Sequence, residues 1–152
     1  MSATPAPAET VDPRGVRFGA AVTSVVLAAV LLTESGWLLG AQAVVFAIGA
    51  VGGVRRSPYS LLYAALVRPR LGPLADPEDA RPPRFAQAVG LGFALVGVVG
   101  FALGAPLVGL VATGLALAAA LLNAATGFCL GCEMYLLIRR FIPTSLHAHP
   151  EV

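Results

Sequence analysis

Cys129 and Cys132 are the only two cysteines of the 152-residue chain, and they stand together in Gly127-Phe128-Cys129-Leu130-Gly131-Cys132. Thiols separated by two residues can close a small disulfide loop, and one can resolve a mixed disulfide or persulfide made by the other. Gly127 and Gly131 let the backbone leave and re-enter helical geometry around the pair. A helix starting near Cys129 would turn its free N–H groups and positive dipole end toward that sulfur, favouring the reactive thiolate. Cys129 is then the nucleophile and Cys132 the resolver. Glu133, four residues on, would share the helix face of Cys129 and could accept its proton. Its negative charge opposes a thiolate, so pairing with an arginine or capping the helix start suits it better. Asn123, Thr126 and Gln87 are further polar candidates for the site, each with hydrogen bonding between helices as the competing role.

What must hold these residues is a bilayer-embedded bundle. The chain is 57% hydrophobic and 12% charged, with a mean hydropathy of +0.82, where soluble domains carry about a quarter charged residues. Four apolar stretches, 18–33, 37–54, 85–103 and 106–125, each approach the ~20 residues that a helix needs to cross hydrocarbon. Glu34-Ser35-Gly36 and Gly104-Ala105-Pro106 break them into two hairpins. No charged residue lies deep in a span, which argues against an ion-coupled transporter with a midplane carboxylate. Gly15/Gly19, Gly36/Gly40, Gly49/Gly53 and Gly100/Gly104 have small-xxx-small spacing, and Gly90, Gly97 and Gly104 recur on one face. Close helix packing is the first use of such faces; a groove or the seam of a homo-oligomer is the second.

All ten basic residues are arginine: Arg14, Arg17, Arg55, Arg56, Arg68, Arg70, Arg81, Arg84, Arg139 and Arg140. None lies in the two hairpin turns. By the positive-inside rule, both termini and the long central loop face the cytoplasm of a multi-pass plasma (inner) membrane protein. Cys129 and Cys132 then meet a reducing compartment, where a permanent structural disulfide is disfavoured. The pI of 8.8 is explained by this topology and by anionic lipid, so no nucleic-acid partner is expected. Ala41-Gln42-Ala43 has the small-x-small form of a signal cleavage site, but the apolar region before it is too long and Met1 to Asp12 holds two acids and no base.

The expected organisation is a disordered tail over 1–12, a four-span domain over 13–142 and a C-terminal tail over 143–152. Within the domain, repeat one runs from about 14 to 70 and repeat two from about 84 to 141, joined by an irregular Pro-rich linker over about 69–84. Pro58 to Val67 and Glu133 to Phe141 read as short interfacial helices. Arg17-Phe18 opens the first half and Arg84-Phe85 the second, and a 72-residue register sets Tyr63 on Tyr135, Arg68 on Arg140, and Ser57 and Ser60 on Cys129 and Cys132. Two-span repeats keep one orientation, so duplication would relate the halves by an axis along the membrane normal. The fold class is all-α: four transmembrane helices as two hairpin repeats, each followed by an interfacial helix.

His147 and His149 are separated by one residue, whereas zinc sites usually space their histidines by three to five, so no metal is expected. Phosphate loops, dinucleotide fingerprints, paired catalytic carboxylates and a Ser/His/Asp arrangement are absent, so no cofactor is expected. The opening Asp12-Pro13-Arg14-Gly15-Val16-Arg17-Phe18, the four spans and the closing Gly127-Phe128-Cys129-Leu130-Gly131-Cys132-Glu133-Met134-Tyr135 resemble the bacterial membrane family called domain of unknown function 4395, common in actinobacteria. The resemblance covers about Val11 to Phe141. It implies no established activity. It implies association with thioredoxin-like and sulfurtransferase proteins, which suits thiol or sulfur traffic at the membrane.

The reading is a membrane protein whose cytosol-facing dithiol exchanges electrons or sulfane sulfur with a thioredoxin-like or sulfurtransferase partner. A scaffold docking such a partner, or a small transporter of a sulfur compound, is the alternative. The arginine distribution makes one expectation directly measurable. A reporter fused after Val152 should read out the cytoplasm and one inserted at Ser35 the exterior; both on one side would overturn the four-span topology.

Overall fold

The computed structural model describes residues 9–73 and 76–142. In chain order its elements are β1 (Thr10–Val11), α1 (Pro13–Thr33), α2 (Gly36–Ala47), α3 (Pro58–Leu66), β2 (Glu78–Asp79), α4 (Arg81–Ala102), α5 (Pro106–Thr126) and α6 (Leu130–Phe141). A π-helical turn, Ile48–Gly52, extends α2. Single 3₁₀ turns follow at Val54–Arg56 and Arg68–Arg70. The two short strands pair antiparallel, Thr10 opposite Asp79 and Val11 opposite Glu78.

Each strand leads into a long helix begun in the same way. The Asp12 carboxylate accepts the Arg14 backbone N–H at 2.9 Å and pairs with the Arg14 guanidinium at 3.1 Å. Asp79 does the same for Arg81, at 2.9 and 2.7 Å. Pro13 opens α1, and Pro82 and Pro83 lie in the first turn of α4, where a missing N–H leaves no hydrogen bond unmade. Both boundaries therefore fall earlier than the hydropathy indicates. Residues 10–12, expected in the disordered tail, form a strand and a cap. Residues 81–84, expected in the irregular linker, are helix.

Three helices are long and apolar enough to cross a membrane: Pro13–Thr33, Arg81–Ala102 and Pro106–Thr126. The stretch Gly36–Gly52 is shorter than the expected 37–54. Gly49, Gly52 and Gly53 cluster at its end, and the chain breaks at Gly53 with φ of 98°. Val25, Leu32, Trp37, Val96, Val99 and Leu107 all point outward. No more than 28% of any of the three spans is buried inside the protein. Apolar surface of that extent belongs in a bilayer.

Inside, Leu27 and Val30 of α1 meet Leu39, Ala43 and Phe46 of α2, Ala94 of α4 and Ala116 of α5. The main pairings are α1 with α5 and α4 with both α5 and α2, while α3 lies on α1 and α6 on α4. At the hairpin between α4 and α5 the backbones touch. A Cβ at Gly100 would stand 2.8 Å from the Gly109 nitrogen, the close approach that small residues permit in lipid. Gly104, expected on the glycine face of the third span, instead forms the turn after α4 with φ of 73°.

The short helices dock through matched aromatic pairs. Phe18 lies 5.7 Å from Tyr63 and Phe85 lies 5.8 Å from Tyr135, both tilted. Tyr63 also donates its hydroxyl to Asp12 at 2.8 Å, joining α3 to the cap of α1. Burial pushes the Asp12 carboxyl up, but hydrogen bonds from Arg14 and Tyr63 outweigh it and hold the group below its ordinary value. Burial and the bond to Asp12 push the Tyr63 phenol up.

Because the folded value of Asp12 lies below the unfolded one, its contribution is complete at neutral pH and is lost as acid protonates the carboxyl. Asp12→Ala should cost about 1–2 kcal/mol at pH 7, from the lost cap and hydroxyl partner. In thermal unfolding in detergent, the gap between variant and wild type should close as pH falls below the carboxylate range; a gap independent of pH would refute this account.

Candidate functional site

The backbone around the cysteines is set by how α5 stops. Gly127 takes the left-handed conformation, φ 76°, and its N–H returns to the Asn123 carbonyl at 2.8 Å, the usual glycine stop for a helix. The Thr126 hydroxyl donates to the Leu122 carbonyl at 2.6 Å and accepts the Phe128 N–H at 3.2 Å. Arg17 donates across from α1 to the Ala124 and Ala125 carbonyls, at 3.1 and 3.2 Å. The last carbonyls of α5 are thus satisfied by a cation, which also suits the negative end of the helix.

The next helix begins on a cysteine. Cys129 is the N-cap of α6, and its Sγ accepts the backbone N–H of Cys132 at 3.2 Å. The Cys129 and Cys132 sulfurs are joined as a disulfide, with Cα atoms 5.1 Å apart. Expectation favoured a free, cycling or metal-bound pair over a lasting bond, and the structure holds the bonded form. The predicted helix start at Cys129 is where α6 begins. In the reduced state the same N–H would face a Cys129 thiolate.

A cavity of about 320 Å³ lies beside Cys129 between α1, α4, α5 and the start of α6. Gln87 and Asn123 line it, with Thr23, Phe46, Phe93 and Met134. No charged side chain does. The hydrogen bonds that close this end of the bundle come from Arg17, Thr126 and the Cys132 amide. They leave the side-chain amides of Gln87 and Asn123 without a partner among the described residues.

Of the residues singled out from sequence, Cys129, Gln87 and Asn123 converge on this cavity. Cys132 is bonded to Cys129 but does not line it. Thr126 is engaged in the turn. Glu133 neither caps α6, since Cys129 does, nor pairs with an arginine: the ion pairs among the described residues are Arg14–Asp12 and Arg81–Asp79. Arg139 and Arg140 stand in the last turn, beyond the three- or four-residue reach of a helical pair. Glu133 is left in the first turn, at the positive end of the helix. His147 and His149, weighed above as zinc ligands, lie outside the described residues.

The stretch that builds this arrangement, from the first strand through α6, is also what the chain shares with other proteins: residues 11–140 match the family described as Domain of unknown function (DUF4395). The chain belongs to that family. No curated protein and no solved structure matches it. The DUF4395 match includes both cysteines and all three polar residues of the candidate site.

Two features of the DUF4395 fold escaped the sequence reading. Asp79 and Arg81 repeat Asp12 and Arg14 at the same 67-residue distance as Arg17 and Arg84, a signal that a longer alignment of the halves would have caught. Phe46 and Phe93 gave no signal, because on an apolar helix nothing separates a lining aromatic from core.

Gly131 seats α6 against α4. A Cβ there would stand 2.7 Å from the Ala86 Cα, and backbone cannot move aside cheaply. Gly131→Val should therefore cost about 1–3 kcal/mol. In the reduced protein it should also speed alkylation of Cys129; unchanged stability and labelling would show that this contact does not hold the site.

Proposed function

We propose that the protein is a four-span membrane thiol–disulfide exchanger whose dithiol faces the cytosol. The observation that carries the reading is Cys129 at a helix N-cap, sulfur-bonded to Cys132 and hydrogen-bonded by its amide. Such a position stabilises a thiolate, and a second thiol three residues on resolves what the first one captures.

In the step envisaged, the Cys129 thiolate attacks a sulfur of a partner disulfide, one partner thiolate leaves, and a mixed disulfide forms. Cys132 then attacks Cys129 Sγ, closing the Cys129–Cys132 bond and releasing the second partner thiolate. The reverse sequence reduces the pair. A thioredoxin-like protein fits this exchange. A sulfurtransferase fits the related relay, in which Cys129 accepts sulfane sulfur as a persulfide.

The four-span architecture is part of the proposal. Gly36–Gly52 at 1.5 Å per residue reaches about 25 Å, short of about 30 Å of hydrocarbon, and local thinning or Trp37 anchoring can supply the rest. Duplication is supported by the paired Asp–Arg caps, the two tilted Phe–Tyr contacts, and reciprocal ties in which Arg17 bonds the end of α5 while Arg84 bonds the Ala50 and Val51 carbonyls after α2. Six of the ten arginines lie where α1 and α4 begin and just past α2, the other four follow α3 or end α6, and none lies in the α1–α2 or α4–α5 turn, which supports a cytoplasmic assignment for that end and for both termini.

Reduced protein in native membranes should show faster alkylation at Cys129 than at Cys132 at neutral pH. Cys132→Ser should trap a partner as a mixed disulfide, and Cys129→Ser should trap none. Equal, slow labelling of both thiols, with no disulfide formed by mild oxidant, would overturn the exchange reading.

A further inference from the structure

The cavity beside Cys129 has a neighbour with which it shares part of its wall. Val89, Phe93 and Leu115 also border an apolar groove of about 630 Å³ that runs along α4 and α5 between Gly92, Val96, Leu107 and Val111. The residues lining both spaces carry no charge. They place a small chamber, bordered by two unpartnered amides and the Cys129 sulfur, next to an open apolar groove on the membrane-facing side of α4 and α5.

We propose, building on the dithiol reading above, that this chamber binds the ring of a membrane quinone, that the groove takes its apolar tail, and that the quinone exchanges electrons with Cys129 and Cys132. A quinone ring is neutral and flat and carries two carbonyl acceptors. Gln87 and Asn123 each offer an amide NH₂ donor, and Phe46 and Phe93 offer aromatic faces. At about 320 Å³ the chamber is at the lower end of the ~300–1,000 Å³ range of ligand pockets, which suits one ring rather than a nucleotide cofactor. No charged residue among those described lines the chamber to neutralise a phosphate. A plain lipid chain would use the groove but would leave both amides unsatisfied.

The chemistry balances with the quinone as the oxidant. The S–H bonds of Cys129 and Cys132 break and one S–S bond forms. The two electrons and two protons pass to the quinone oxygens, giving a hydroquinone. Cys129, the only one of the pair lining the chamber, is the sulfur next to the ring, and Cys132 closes the disulfide. The partner thiols of the exchange reaction then reduce the pair for another cycle.

The test uses full-length protein in nanodiscs, reduced with dithiothreitol, freed of reductant and mixed anaerobically with ubiquinone-1, whose fully substituted ring resists permanent arylation by thiols. Quinone absorbance and free thiols are followed together. The expected result is one quinone reduced for each dithiol oxidised, with no such reaction in Cys129→Ser. Ala119→Leu, which fills the chamber, should slow quinone reduction by about tenfold or more. Val25→Leu, on the outward face of α1, should match wild type. Quinone reduction by Ala119→Leu at the wild-type rate would overturn the proposal, because the reaction would then occur outside the chamber. Wild type that ignores ubiquinone-1, yet forms its disulfide with diamide and loses it to dithiothreitol, would overturn the quinone site and leave the exchange reading standing. A pair that neither diamide nor dithiothreitol converts would remove the exchange reading beneath it.

Discussion

The last carbonyls of a helix have no partner within it, and this protein satisfies those that finish α2 and α5 with arginines borrowed from the opposite hairpin. Arg17, one turn into α1, bonds the carbonyls that finish α5. Arg84, one turn into α4, bonds Ala50 and Val51 at 2.6 and 2.8 Å, in the π-helical turn that finishes α2. A π turn loosens the regular ladder and leaves acceptors for an external donor. Each hairpin therefore completes the hydrogen bonding of the other. Removing either guanidinium would remove one of these ties between the hairpins, which lie at the exposed edge of the bundle.

The position of the candidate site follows from that interlock. Holding the end of α5 against α1 fixes where Gly127 must turn the chain, and the turn delivers Cys129 to the head of α6. Gly131 then brings α6 into backbone contact with Ala86 of α4. The chamber is the space left between these contacts. Cys129 and two side-chain amides line it, and small residues such as Gly90, Ala116 and Ala119 leave its room.

Much of this was legible in the residues. Hydropathy located the long helices, Gly104-Ala105-Pro106 marked a hairpin turn, and the glycines around the cysteines pointed to a helix start at Cys129. The helix starts were misjudged because hydropathy sees side chains, while the first turns at Pro13 and Arg81 are set by an N–H donated to Asp12, the N-cap of α1, or to Asp79, one residue before the N-cap of α4, and by prolines that need no acceptor. The early end of α2 was hidden because valine and glycine continue the apolar run through a change of helix type. Of the two roles expected for Glu133, an arginine partner is not among the ion pairs of the described residues, while its place in the first turn of α6 keeps the helix-start role open. The chamber was not legible at all: it depends on how four helices leave a gap, and only Cys129, Gln87 and Asn123 among its lining residues announce themselves by chemistry.

On the duplication reading, the gap has a specific origin. The 72-residue register that sets Tyr63 on Tyr135 also sets Tyr59 on Gly131. In the first half, Tyr59 lies beside Gly19 and donates its hydroxyl to Gln42 Oε1 at 2.6 Å, so a ring is packed under α3 and its polar end is satisfied within the protein. In the second half the matching position carries only a hydrogen atom, and α6 closes directly onto Ala86 without filling the space behind it. The same register sets Ser57, the buried N-cap of α3, on Cys129, the N-cap of α6. One half therefore has a tyrosine side chain and a serine oxygen where the other has a glycine and a cysteine sulfur. Two copies of one hairpin can share their arginine ties and aromatic docking while only one carries reactive chemistry, because those ties involve neither position 59 nor 131. On that reading, a tyrosine in place of a glycine and a serine in place of a cysteine are what would distinguish the first half from the half that carries the proposed site.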